Sequence, residues 1–473
     1  MLKLKTKIFP VVLLAGFGMI FSQTIPSGTA LSDNGLLIGA TAEVGSSSKE
    51  GLFDWSSPEK VQTVMQREFG LVQTTAYPAW DTWGGSGMND VTFDLTNPNR
   101  VINWAKAQGK KVAVHLLAGS GNYFPTWLQE GTGSWAEADL DTLLHHWIAA
   151  VMQSNNNATK VDYWNVVNEA FMWNGNYWAN KTTDANPDKC PWQDMGWESD
   201  KSGLTGTAQV YTQHPKYIRR AFEIARQYTS AKLELRDYGI EFWDGSKKSR
   251  AFYQLVKHLL NSGVPLDAVG FQGHFRTDRT YNWDNLNLAI KQYKDLGLEV
   301  YITEIDYGDA DPIAAATSAH RTAAYDSIQS KNLYEFAKAA ASAGVNWLCM
   351  WGIADNSNQY WRMGQSALLF DEDYNAKDAY YQFRQGIVDG LGITALPRTT
   401  KNINNRESAN IKDGIIYLTG KQDGTISLMD TFGAIRAEVP LTSGKGIVPK
   451  LPHGSYIWSL KGSRTAHGVL LLE

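Results

Sequence analysis

Two carboxylates in this chain sit where a buried strand gives way to a loop. The run Val161-Asp-Tyr-Trp-Asn-Val-Val-Asn-Glu-Ala170 begins apolar and β-branched and ends on Asn168-Glu169. Such a run predicts a strand covered on both faces, as in a parallel sheet. Val300-Tyr-Ile-Thr-Glu-Ile-Asp306 has the same character and carries Glu304 near its end. If both strands belong to one parallel barrel, their C-terminal ends open on one face, where barrel enzymes keep their reactive groups. Two carboxylates there are the minimum apparatus for cleaving a glycosidic bond. In that chemistry Glu169 is the expected general acid/base. It must be protonated to protonate the leaving oxygen and then ionised to activate water, which requires a raised pKa. Glu304 is the expected nucleophile and must stay ionised, so hydrogen-bond donors should surround it. Asn168 is placed to donate to the 2-hydroxyl of the sugar, a contact that strengthens in the transition state. One strand-end Glu alone would be as well explained by a structural salt bridge; a pair on two such strands favours catalysis.

The elements that must position these groups are legible on either side. Leu36-Leu-Ile-Gly-Ala40 predicts a first strand, and Pro58 opens a helix reaching about Phe69. Leu71 to Thr75 predicts strand two, a helix opens at Asn97-Pro98, and Lys111 to Leu117 predicts strand three. An amphipathic helix over Glu137 to Met152 precedes the Glu169 strand, which is the fourth. Strands five to eight follow at Leu233–Tyr238, Ala268–Gln272, Glu299–Thr303 and Asn346–Trp351, with helical patterns between them and a closing helix over Ala376 to Ile387. Eight alternations of strand and helix predict an α/β protein of the (β/α)8 TIM barrel type. An open doubly wound sheet fits less well, because no Gly-rich phosphate loop follows strand one. Between Phe171 and His214 lies a long loop with Trp173, Trp178, Trp192 and Trp197. Loops of that length are functional or disordered, and four Trp argue against disorder.

The 473 residues are 43% hydrophobic and 19% charged, the balance of a folded globular chain. A formal net charge of −4 gives no electrostatic case for a nucleic-acid partner. Eighteen Trp and 21 Tyr suit a site that stacks on sugar rings, and equally suit an aromatic core. Met1–Ser22, with Lys3, Lys5 and Lys7 ahead of an apolar run, predicts a cleaved signal peptide. Cys190 and Cys349 are the whole cysteine complement, too few for a disulfide framework, and Cys349 reads as a small core hydrophobe. No His-x-x-x-His or Cys-x-x-Cys spacing suggests a metal, and two-carboxylate chemistry requires neither metal nor cofactor. No Gly-x-Ser-x-Gly supports a serine nucleophile. The expected organisation is a barrel over 23–392, a linker over 393–410 and a small β-sandwich-like module over 411–473, where short strands alternate with turn signals such as Gln-Asp-Gly.

Trp164-Asn-Val-Val-Asn-Glu-Ala170 and Ile302-Thr-Glu-Ile-Asp306 resemble the acid/base and nucleophile signatures of family 10 glycoside hydrolases, the endo-β-1,4-xylanase family. The resemblance runs from about Leu36 to Ile387. It implies that His274, in Gly270-Phe-Gln-Gly-His274, donates to Glu304, with Gln272 as a nearby polar contact. It also implies that Trp351, in Trp351-Gly-Ile-Ala-Asp355, floors the glycone site, with Trp361 as a second aromatic wall. His115 and Tyr238, in Arg236-Asp-Tyr238, match further substrate-binding positions. The implied activity is retaining hydrolysis of internal β-1,4 linkages of xylan, with the carboxyl groups about 5–5.5 Å apart. The C-terminal Leu451-Pro-His-Gly-Ser-Tyr-Ile457 resembles the sorting domains that some Gram-negative bacteria append to exported enzymes. That implies a secreted or cell-surface protein and export machinery as a partner besides the polysaccharide; a carbohydrate-binding module is the alternative. A monomer is expected.

The resemblance breaks on the glycone side. The family pattern places Asn-Glu-x-x-Lys after strand two; this chain has Thr75-Ala-Tyr-Pro-Ala-Trp-Asp81. The Trp-His expected after strand three is Gly119-Ser120, and the Asn of the strand-five motif is Arg236. Tyr77, Trp80, Asp81 and Trp83 are candidates for a different floor or wall. A decorated xylan or another β-glycan is therefore the first rival substrate. A non-catalytic glycan-binding barrel is the second rival, against which both Glu, Asn168 and His274 count.

Overall fold

The computed structural model describes residues 31–42, 52–53, 58–76, 83–119, 124–178, 190–309, 321–355, 362 and 364–392, and beyond them 409–412, 415–418, 423–429, 435–449, 454–462 and 466–472. Eight parallel strands close a barrel. They are β1 (Leu37–Thr41), β2 (Leu71–Thr75), β3 (Lys111–Ala118) and β4 (Tyr163–Asn168). The second half is β5 (Lys232–Asp237), β6 (Ala268–Phe271), β7 (Glu299–Gly308) and β8 (Trp347–Met350). Neighbours in sequence are neighbours in space, and β8 returns to β1 with Leu348 beside Ile38. Among the described residues eight helices of eleven residues or more cover the outside: α1 (Pro58–Glu68), α2 (Thr96–Ala107), α3 (Glu137–Gln153), α4 (Lys216–Tyr228), α5 (Lys247–Asn261), α6 (Trp283–Lys294), α7 (Ala323–Ser342) and α8 (Asp378–Gly390). Three of them start on side-chain caps expected of their residue types, Ser246, Asn282 and Thr322, each accepting from a backbone N–H of the first turn.

Period-two alternation sorts the strand residues. Outward positions such as Val72, Val114, Val166, Leu235, Val269, Val300 and Leu348 join the helices in one large apolar core. Inward positions stack in layers along the barrel axis. The lowest layer is apolar: Leu71, Ala113, Ala268, Tyr301 and Trp347, with Tyr163 against it and the Tyr301 and Trp347 rings stacked at 4.5 Å. One step nearer the C-terminal ends the inward residues turn polar: Gln73, His115, Asn165, Glu234 and Arg236, all buried. The barrel is plugged at its base and charged below its mouth, and the cleft stands on that charge.

Two boundaries of the barrel strands differ from the sequence reading by two residues or more, the others by no more than one. β4 starts at Tyr163 because Asp162 is turned aside by Lys106, Lys111 and the Val112 N–H. β7 runs on to Gly308 because the short strand His274–Arg276 pairs with Asp306–Gly308 and prolongs it. The stretch after β4 is not structureless either. Phe171 bridges Tyr177, a 3-10 turn spans Pro191–Met195, and Trp197–Ser199 pairs with Gln213–Pro215. The first C-terminal strand, Ala409–Lys412, begins inside the expected linker. It is the first strand of a three-stranded antiparallel sheet, and described strands within residues 424–472 form a four-stranded antiparallel sheet. Met1–Ser22 lies outside the described residues. Cys190 and Cys349 are both buried and free.

Candidate active site

At the mouth of the barrel β4 ends on Asn168, and the next residue, Glu169, takes a left-handed conformation with φ 54°. That conformation costs a non-glycine residue about 1 kcal/mol or more and persists where the surroundings fix it. Here the Glu169 N–H donates to the Arg236 carbonyl at 2.9 Å. The Glu169 carboxyl, half-buried, accepts from Gln272 Nε2 at 2.8 Å, while Asn168 Oδ1 is 3.4 Å from the same nitrogen. Burial raises the Glu169 pKa and the charge of Glu304 adds to the rise; the Gln272 bond works the other way.

Glu304, on β7, is 3% exposed and lies in the middle of a chain of alternating charge. Arg236 Nη1 donates to its Oε1 at 3.0 Å, and His274 Nε2 is 3.2 Å from its Oε2. Behind Arg236 stands Glu234, at 2.7 Å and 3.2 Å from Nε and Nη2. Behind His274 stands Asp306, 2.8 Å from Nδ1, and Arg362 Nε closes the series 3.0 Å from Asp306. Glu234, Arg236, Glu304, His274, Asp306 and Arg362 thus alternate in sign. Burial alone would raise Glu304, but its neighbours outweigh it and bring it down to about 2. His115 Nδ1 is 3.7 Å from Glu304 Oε1, yet burial and the Arg236 charge push His115 down to about 3. Above that pH His115 is neutral, and the cations holding Glu304 ionised are Arg236 and His274. His274 is raised to about 10: burial opposes its charge, and Asp306 and Glu304 prevail. His115 Nδ1 lies 2.8 Å from Asn165 Oδ1 and 3.0 Å from Arg236 Nη1, within hydrogen-bond distance of both.

The aromatic candidates divide. Trp351, partly buried, sets its edge against His115 at 5.3 Å and His274 at 6.3 Å, which places it beside Glu304. On the Glu169 side, one face of Tyr238 is occupied by the Lys248 ammonium, 3.0 Å from the ring centroid. Lys248 is held there by Asp237 at 2.8 Å and by the Phe171 carbonyl at 2.9 Å. The open aromatic surface is instead Trp173, 66% exposed, with its ring 4.5 Å from Tyr238. It lies over Gly239 (φ 65°), where a Cβ would come within 3.0 Å of the indole. Trp83 is not a wall: it is 2% exposed and packs on Phe93, Trp147 and Trp192, anchoring the loops to α3. Tyr77, Trp80, Asp81 and Trp361 lie outside the described residues.

Sequence reasoning missed Glu234, Arg236 and Arg362 as parts of the site, and Trp173 as its exposed ring. Glu234-Leu-Arg236 carried a signal: two charges at period two on a buried strand must both face inward and must pair. Arg362, far along the chain from its partner, carried none. Away from the cleft the fold gathers Asp200, His214 and His258 with ligand atoms within 4.8 Å of one another. These atoms already have protein partners. The Lys201 N–H takes the His258 Nδ1 lone pair at 3.0 Å, and His214 Nε2 meets Asp200 at 2.9 Å. The triad is a clasp on the loop after β4, tying Asp200 and His214 of that loop to His258 of α5.

A parallel (β/α)8 barrel with two strand-end carboxylates in one charged cleft has the build of a glycoside hydrolase. The Glycosyl hydrolase family 10 profile matches residues 29–386, and the chain belongs to that family. Endo-1,4-beta-xylanase B of Thermotoga neapolitana is 27% identical over 340 residues, 70% of this chain and 85% of that protein. Exoglucanase XynX of Acetivibrio thermocellus is 28% identical over 298 residues, 61% of this chain but only 24% of that longer protein. Among solved structures, xylanase 10B of Thermotoga petrophila, in complex with xylobiose, superposes with a TM-score of 0.61 at 24% identity. That alignment covers 77% of this chain and 99% of the other, and it speaks for the fold. The family match stops before the C-terminal strands, and nothing in these comparisons supports their likeness to a sorting domain.

Proposed function

We propose that this protein is a retaining endo-β-1,4-xylanase. Glu304 attacks the anomeric carbon of a xylan chain as the bond to the leaving oxygen breaks, and Glu169 gives that oxygen its proton. Glu169 then removes a proton from water, whose oxygen attacks the same carbon and releases Glu304 as a carboxylate. The observation that carries this reading is the opposite treatment of two neighbouring carboxyls. Glu304 is held ionised between Arg236 and His274, while burial and the Glu304 charge favour the protonated form of Glu169. Two titratable groups pushed apart by their surroundings are what acid/base assignment requires. Trp351 lies on the nucleophile side and Trp173 on the acid side, so the glycone and aglycone ends of the chain would meet different rings.

A decorated xylan or a non-xylan β-glycan is the second reading. It is favoured by the missing Lys and Glu of the pattern after strand two and by Arg236 in place of Asn. The test is product release from linear xylan, glucuronoxylan, arabinoxylan and mixed-linkage glucan, with Glu304→Ala alongside. Oligosaccharides from xylans, absent with the variant, support the first reading. Release from another polymer alone replaces the substrate, and binding with no release from any glycan removes the enzymatic reading. Export to the medium or cell surface of a Gram-negative bacterium belongs to the same proposal. It is supported by the Met1–Ser22 pattern and tested by N-terminal sequencing of the extracellular protein.

A further inference from the structure

We propose that Arg236 is a positioning residue for Glu304 that sets the balance between forming and releasing the glycosyl-enzyme, and that Glu234 and Gly270 are the residues that keep it in place. This rests on Glu304 being the nucleophile. The guanidinium is fully buried, and its donors are committed in fixed directions. Nε and Nη2 form a fork on Glu234 at 2.7 Å and 3.2 Å, Nη2 also reaches Gln73 Oε1 at 3.0 Å, and Nη1 meets Glu304 Oε1 and His115 Nδ1, each at 3.0 Å. A fork-bound guanidinium has little freedom to swing. Gly270, on the adjacent β6, makes the room: a Cβ there would fall 1.9 Å from Glu234 Oε1.

A charge-assisted bond to a carboxylate is stronger than one to the ester it becomes. Arg236 therefore stabilises Glu304 before attack and again as it departs. In the first step the Glu304 oxygen bonds the anomeric carbon and Arg236 loses part of its partner's charge. In the second, water oxygen bonds that carbon, the carbon–Glu304 bond breaks with its electron pair going to the carboxylate, and the bond to Arg236 regains full strength. The residue makes Glu304 a weaker nucleophile and a better leaving group, so the covalent intermediate is short-lived.

The groups that face Glu304 are His115 from β3, Glu169 from β4, Glu234 and Arg236 from β5, His274 after β6 and the Cys349 thiol from β8. Only Arg236 and Glu234 need be changed. Arg236→Asn paired with Glu234→Gln removes the cation without stranding a buried carboxylate, and Arg236→Lys keeps the charge. The full chain is mixed with dinitrophenyl β-xylobioside, whose leaving group requires no acid, in stopped flow. The paired variant is expected to give a burst of dinitrophenolate approaching one per active enzyme. Turnover should then be about ten- to a hundredfold slower than wild type, the scale of one charged hydrogen bond. Intact mass should show a xylobiosyl adduct, and the acidic limb of kcat/KM should move to higher pH. Arg236→Lys should return the limb toward its wild-type position. A slower paired variant with no burst, no adduct and an unmoved acidic limb would overturn the proposal, because a purely structural role does just that. If Glu304→Ala turns over as well as wild type, or wild type releases no dinitrophenolate, the nucleophile assignment has failed first and the proposal goes with it.

Discussion

Gly270→Ala adds a single methyl group, and the structure says where it goes. An ideal Cβ would lie 1.9 Å from Glu234 Oε1, 2.8 Å from its Cδ and 3.2 Å from Thr303 Cγ2. A free carboxylate would step aside cheaply, but this one is held by Arg236, which is itself fully buried. Making room means pulling Glu234 off the guanidinium. Overpacking costs about 1–3 kcal/mol by itself, and removing one partner of a buried ion pair costs about 3–5 kcal/mol. The substitution is therefore expected to cost about 3–5 kcal/mol or more, against a typical total stability of about 5–15 kcal/mol. Glu234→Ala should cost a similar amount, since it too takes both fork bonds from Arg236 and leaves Glu304 as its one remaining carboxylate. The double variant should be no worse than Glu234→Ala, because the new methyl enters vacated space. Urea unfolding of the four proteins, followed by tryptophan fluorescence, measures the cycle, with an expected non-additivity of about 3 kcal/mol or more. Additive costs, or a Gly270→Ala cost within about 0.5 kcal/mol of zero as for an uninvolved surface position, would refute the picture of a pinned pair.

Four further outcomes follow from the same geometry. Glu169→Ala should lower turnover of xylan by about 10²–10⁴-fold, while dinitrophenyl glycosides, which need no proton, lose far less in their first step; equal losses on both would deny Glu169 the acid role. The pH profile of kcat/KM should rise as Glu304 ionises around 2 and fall as Glu169 loses its proton, above the 4.5 of an ordinary Glu, because activity needs the first deprotonated and the second protonated. Replacing Gln272 by Leu removes a bond that favours ionised Glu169, so the basic limb should move further up. Trp173→Ala should raise KM for long xylo-oligosaccharides by about three- to tenfold, the worth of one aromatic contact, and leave unfolding unchanged because the ring is exposed. A large fall in stability would make Trp173 a packing residue.

The barrel was legible because its signals are local. β-branched runs and Pro58 and Asn97-Pro98 at helix starts each announce an element without reference to distant residues. Glu169 and Glu304 were legible as strand-end carboxylates, and His274 through its surroundings in sequence. What the sequence hid was pairing between strands. Whether Trp83 faces a cleft or a core depends on Trp147 and Trp192, 64 and 109 positions further along the chain. Which face of Tyr238 is open depends on Lys248, a residue of the next helix. The loop after β4 looked irregular because its order comes from contacts such as Tyr177 with His214 and His258 with Glu198, not from periodicity.

The exchange of Asn for Arg at position 236 makes physical sense only with its neighbours. A buried guanidinium requires a counter-charge throughout the catalytic cycle. On the proposed mechanism Glu304 supplies one only while it is a carboxylate; as a glycosyl ester it is neutral. At that stage Arg236 retains Glu234, and His274 retains Asp306, so neither cation is left alone at the barrel centre. Each positive group beside the nucleophile thus has a second carboxylate that takes no part in bond making. Glu234 can fill that role only because residue 270 has no side chain. Arg236, Glu234 and Gly270 therefore form one device spread over two adjacent strands. The altered strand-five motif is a rebuilt interior that keeps the charge around Glu304 balanced in both of its chemical states.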